Sequence, residues 1–137
     1  LQLGSYGSVL ELLETATVSA SAPSATTNFD VVTQAVQYYT SNTTTNFTLN
    51  IRGNSTTALN TIMQNNQSAT IALLVTNSTT AYYPNVIQVD GTTVTPKWQG
   101  GTAPTSGNAS ATDVYVFTVI KSASATYTVL ASQTKFV

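Results

Sequence analysis

Between residues 12 and 131 the apolar side chains fall on every second position, in short runs divided by Ser, Thr, Asn, Gly and Pro. A period of two sends successive side chains to opposite faces of a strand, whereas a helical stripe needs a period of 3.6. The cleanest run sets Phe47, Leu49 and Ile51 on one face and Thr48, Asn50 and Arg52 on the other. Upstream, Leu12, Ala16, Val18 and Ala20 share a face, and Glu14 falls on that apolar side near the strand's start. Phe29 and Val31 alternate, Val32 breaks phase, and Val36 and Tyr38 resume. Residues 69–75 are apolar on both faces, which marks a central strand buried on two sides. Tyr115, Phe117 and Val119 then oppose Val116 and Ile120, and Tyr127, Val129 and Ala131 oppose Thr128 and Leu130 across a loop at 122–125. Eight or so strands at turn spacings of about 8–12 residues predict an all-β fold. The expected form is an antiparallel β-sandwich, jelly-roll-like, with one short helix.

That helix is expected within residues 55–64, where Leu59, Ile62 and Met63 stand at helical spacing and Ser55 can cap. The expected core comprises Val18, Phe47, Leu49, Ile51, Leu59, Ile71, Leu73, Val75, Val89, Val116, Phe117 and Val129. Residues 1–10, with Gly4 and Gly7 between Ser and Tyr, read as a flexible lead-in, and residues 11–137 as one sandwich domain. A chain that begins at Leu1 is expected to be processed or part of something longer.

The stretch 90–108 is the most distinctive. Asp90-Gly91 is the strongest short hairpin signal, and Asp90 is expected to be occupied by its own turn. Pro96 precedes the only tryptophan, Trp98, and Gly100, Gly101 and Gly107 free the backbone beyond it. Trp98 then has two readings. It plugs one end of the sandwich, or with Tyr82 and Tyr83 it forms an exposed platform for a glycan or protein partner.

Composition excludes more than it assigns. Charged residues make up 7% of the chain, against about 25% in soluble domains generally. Net charge is −1, and Arg52, Lys97, Lys121 and Lys135 are scattered, so nucleic-acid binding is not expected. No apolar run reaches the length of a membrane span. The chain has no cysteine and no histidine, which removes disulfides, thiolate metal sites and the commonest general base. Of the acids, Asp30 and Asp113 could pair, but no other signal marks a glycosidase site. No catalytic residue, metal site or cofactor is assigned, and the chain is read as not an enzyme. Asn-x-Ser/Thr sequons at Asn42, Asn46, Asn54, Asn66, Asn77 and Asn108 matter only in a glycosylating pathway.

Three stretches carry a resemblance. They are Ile71-Ala-Leu-Leu-Val-Thr-Asn, then Ala81-Tyr-Tyr-Pro, then Val94-Thr-Pro-Lys-Trp-Gln-Gly-Gly-Thr-Ala-Pro-Thr-Ser-Gly-Asn. The ending from Asp113 through Phe136 joins them. Together they resemble a module of tail fibres and other virion proteins of tailed phages that infect marine cyanobacteria. The resemblance runs from about Glu14 to the C-terminus, and the start at Leu1 is short, since such modules often end longer fibre chains. It implies a structural subunit of an extracellular particle that assembles as a homo-oligomer, expected as a trimer, with other virion proteins and contacts the host surface. No catalytic or binding residue is implied. Tyr38, Tyr39, Tyr82, Tyr83, Tyr115 and Tyr127 suit such interfaces. The competing class is a lectin-like module, or a secreted adhesin or filament subunit, using exposed Trp98, Tyr82 and Tyr83.

Overall fold

The computed structural model describes residues 12–137, and the expected lead-in over residues 1–10 lies outside them. Among the described residues ten strands form two sheets, with one short α-helix, an all-β sandwich-like fold. The first sheet has six strands in the order β1 (Ala16–Ser19), β3 (Val36–Asn42), β5 (Ser68–Thr76), β9 (Thr112–Ala123), β10 (Thr126–Phe136) and β8 (Lys97–Trp98). The second orders β2 (Thr26–Asp30), β4 (Phe47–Arg52), β6 (Pro84–Val89) and β7 (Thr92–Val94).

Strand direction is the correction. The expected sandwich was antiparallel, yet β1–β3, β3–β5, β2–β4, β4–β6 and β8–β10 all pair parallel. The cause is the path of the chain, which alternates between the sheets from β1 to β6. A strand of one sheet is followed by a strand of the other, so successive strands within a sheet run the same way. This winding also departs from a jelly roll, whose strands are joined by antiparallel connections. Periodicity is blind to the difference, since it reports faces and not direction. Both turns read from the sequence as hairpins do join antiparallel pairs, β6–β7 and β9–β10, and β5–β9 is the third such pair. At the first of these turns Asp90 has φ 49° and Gly91 φ 77°, the positive pair that a type I′ turn demands.

The core lies between the sheets. Phe29, Phe47, Leu49, Ile51, Leu59, Leu73, Val75, Tyr115 and Phe117 are essentially inaccessible, and Ile71, Val89 and Val129 are buried with them. Two expected core residues are not there. Val18 is 64% exposed, and Val116 lies half-buried on the outer face of its sheet. Val116 neighbours Phe117 and must face the other way, and Val18 shares the outward row of Tyr38 and Leu74. Phe29, Tyr39 and Tyr115 fill the interior instead, so two tyrosines expected at interfaces are core residues.

The helix α1 (Leu59–Ile62) is a single turn, shorter than the span expected, and Ser55 does not cap it. Asn54 uses its side-chain oxygen to hold the amides of Thr56 and Thr57 at 2.8 and 2.7 Å, which spends the approach to the helix on a turn. The free amides of Leu59 and Asn60 go to the carboxylate of Asp90, at 2.7 and 2.8 Å. The Asp90 backbone makes its turn as expected, but its side chain serves a helix some thirty residues away in sequence.

Candidate functional site

Trp98 sits on the two-residue strand β8, which pairs parallel to β10 at Leu130 and Ala131. Pro96 cannot donate a ladder hydrogen bond, and Gly100 (φ 77°) and Gly101 (φ 81°) turn the chain out again, so the edge strand is short. The register places Lys97 outward beside Leu130 and Trp98 inward beside Ala131. The indole is half-buried and meets Phe117 edge to face, with centroids 6.0 Å apart and planes at 72°. It packs against the core and still borders open space.

That space is a groove of about 270 Å³ between the margins of the two sheets. Trp98, Tyr83, Pro84, Val94, Pro96 and Pro104 form its apolar walls, and Asn85, Thr93 and Thr95 add polar groups. The structure thus brings Trp98 and Tyr83 together but places Tyr82 elsewhere. Tyr82 is half-buried, and its backbone amide donates to Asn77 Oδ1 at 3.2 Å. Sequence reasoning missed the prolines, whose ring faces make the groove as much as the aromatics do. Three of the four prolines lie within or beside the stretch that carries Trp98, and that clustering was the available signal.

A second polar centre went unread. The Asp113 carboxylate is wholly buried and takes hydrogen bonds from Asn108 N (2.8 Å), Asn108 Nδ2 (2.7 Å) and Asn77 Nδ2 (3.1 Å). The Tyr115 hydroxyl stands 3.5 Å from it and accepts from Gln133 Nε2 at 2.8 Å. Burial raises the Tyr115 phenol well above its ordinary pKa, the Gln133 hydrogen bond opposes this, and the nearby Asp113 charge adds to the rise. Thr43 donates to Asn77 Oδ1, and Gln133 Nε2 also donates to the Ser106 carbonyl at 2.9 Å. This network ties the loop after β8 to β5, β9 and β10. It also buries Asn77 and engages its amide nitrogen, so the fold as it stands has no room for a glycan at that sequon.

The acids are dispersed. Asp30 forms an ion pair with Arg52 at 2.6 Å on the four-stranded sheet, whereas Asp113 belongs to the six-stranded one. Their suggested pairing is therefore not realised. Among the described residues no group of three His, Cys, Asp or Glu could hold a metal ion. No helix among them is long and apolar enough to cross a membrane. The groove offers ring faces and hydroxyl and amide groups without a charge, which suits contact with a neutral, partly apolar surface such as a sugar ring or a protein side chain. Comparison with protein-family models, with curated proteins and with solved structures returns no match.

Proposed function

We propose that this chain is a structural subunit of a phage virion, a tail-fibre, appendage or decoration protein that works by self-assembly and by contact with the host surface. The observation that supports this reading is the use of its polar side chains. They bond to one another along the fold: Asn50 to Asn28 at 2.9 Å, Arg52 to Asp30, and Asn77 and Asn108 to Asp113. A fold braced in this way suits a particle that must keep its shape in open water, since apart from the Arg52–Asp30 pair the bracing does not rest on salt-screened contacts. The proposed assembly is a homo-oligomer, a trimer, seated among other virion proteins. Gold-labelled antibody raised against the chain should mark appendages of tailed phages grown on marine cyanobacteria. Particles that stay unlabelled while their dissociated proteins also fail to react would overturn the reading.

A second reading is favoured by one observation, the shared groove of Trp98 and Tyr83. In that reading the chain is a lectin-like module, or part of a secreted adhesin or filament, and the groove takes a glycan. Binding to a glycan array that Tyr83→Ala removes without unfolding the chain would support it, and an array without signal would exclude it.

A further inference from the structure

The two sheets turn very different faces outward. The four-stranded sheet shows Thr26, Asn28, Asp30, Thr48, Asn50 and Arg52, with the Asn and charged residues bonded in pairs. On the six-stranded sheet the register aligns apolar rows instead. Val18, Tyr38, Leu74 and Val114 lie side by side across four strands, and Ala16, Val36, Ala72 and Val116 form the next row. Thr70, Thr118 and Leu130 continue the face as far as Lys97 at its edge, the one charged residue in these rows. Val18 is 64% and Leu130 44% exposed, Ala16 and Thr70 are exposed too, and the other residues of these rows on β3, β5 and β9 are half-buried. So β5 is apolar on both sides, as its sequence indicates, but one chain buries only one of them.

We infer that a second copy of this chain covers this outer face. Five strand spacings of about 4.8 Å, by nine residues of about 3.3 Å along β5, give roughly 700 Å². That is the whole face, its Thr and Ser positions included, and it is close to the ~800 Å² per partner of a standard stable interface. Apart from Lys97 at the edge the rows carry no charge, so little opposes two copies that meet there and little selects a charged partner, as a homo-oligomer needs. At its edge a hollow of about 370 Å³, bordered by Trp98, Gln99, Val116 and Leu130, can receive a side chain from the neighbour. The inference rests on the self-assembly proposed above and names the surface that carries it.

The test is light scattering on the whole chain at micromolar concentration. Wild type should run at a multiple of one chain's mass. Leu74→Glu and Val114→Glu should each run as a single chain with unchanged β-sheet dichroism, while Asn28→Glu on the other sheet keeps the oligomer. Because a buried charge could unfold the variant, cross-linking supplies a second measurement. The chain has no cysteine, so a short bis-maleimide should join Val114→Cys chains and not Thr48→Cys chains. A monomeric wild type would overturn self-assembly and face together. An oligomer that survives both glutamates, or that links through Thr48→Cys alone, overturns the face only. Labelling of particles is independent of either result.

Discussion

Asp90 and Lys121 hold the two ends of the same helical turn from opposite sheets. Asp90, at the β6–β7 hairpin, accepts from the amides of Leu59 and Asn60. Lys121, on β9 and only 6% exposed, donates from Nζ to the carbonyls of Asn60 and Met63, each at 2.7 Å. A four-residue helix could not persist alone in water, since nucleation costs more than one turn returns. Here its unpaired amides meet a carboxylate and its unpaired carbonyls an ammonium, the arrangement its dipole favours. The turn bridges the sheets at one end of the sandwich and sets Leu59 and Met63 into the core.

Asp90→Ala should therefore lower stability by about 1–2 kcal/mol, the usual effect of losing a helix cap. Lys121→Ala leaves two carbonyls without donors and should cost about 2–4 kcal/mol. Both residues act on Asn60, so their effects should not add. The double variant should be less destabilised than the sum by more than ~0.5 kcal/mol. Urea unfolding of the two single variants and the double variant measures this, and strict additivity would show that the two clamps are independent.

The buried carboxylate of Asp113 should matter more. Asp113→Ala strands the Asn77 and Asn108 donors in a dry site, at a cost of about 3 kcal/mol or more. Asp113→Asn keeps one acceptor but turns an amide donor toward another, and about 1–3 kcal/mol is expected. Gly107→Ala should loosen the same loop by a different route, since its added methyl would run into the Tyr82 carbonyl and the Asn77 amide. Hydrogen exchange should rise over residues 104–110 in all three variants. An urea midpoint unchanged by Asp113→Ala would mean that the network contributes nothing.

Alkali should unfold this protein, and the sign follows from burial. Tyr115 is inaccessible and its phenol pKa is raised, chiefly by burial. Tyr39 and Tyr127 shift the same way, again chiefly by burial, and for Tyr127 the Asp90 charge adds to it. A raised folded pKa gives stability that is complete below the unfolded value, about 10. Above it the unfolded chain ionises first, and Tyr115 alone should cost about 1.4 kcal/mol per pH unit. With no histidine, no side chain with an ordinary pKa near neutrality contributes a step there. Melting temperature measured against pH should fall above about pH 10, with phenolate absorbance rising at the unfolding transition. Phenolate formation complete before any loss of β-sheet signal would contradict it.

How far the fold could be read from the chain depended on which interactions are local. Face assignment was legible because neighbours in sequence decide it: Phe47, Leu49 and Ile51 lie inward as their alternation says. Strand direction was not, because whether β3 follows β1 in parallel depends on loops crossing between sheets, and Ser, Thr and Pro permit either path. The helix was half legible, since Leu59 marks its buried side while Asp90 and Lys121, which fix its length, lie far along the chain. At the candidate site Trp98 and Tyr83 were named from their residue types, but their common groove exists only through β8 and β6 meeting at the sheet margins. Tyr82 failed although its partner is near: Asn77, five residues back, holds its backbone amide, and residue type alone does not show which way such a turn carries the ring.

Trp98 allows the sharpest decision. Its edge-to-face contact with Phe117 and its place against the core make it a packing residue, while its border on the Tyr83 groove keeps a binding role open. A fully buried aromatic truncated to alanine costs about 3–5 kcal/mol, and a half-buried one should cost less, about 1–3. Trp98→Ala should thus lower the melting temperature, and Phe117→Ala, wholly buried, should lower it further. Trp98→Phe should restore part of the loss, because a smaller ring still meets Phe117. A glycan-binding role predicts another pattern: Trp98→Ala melts like wild type and loses array binding, and Tyr83→Ala loses the same ligands. Calorimetry and a glycan array on these four variants separate the outcomes. Packing is the expected one, since the ring leans on Phe117 whether or not a ligand is bound.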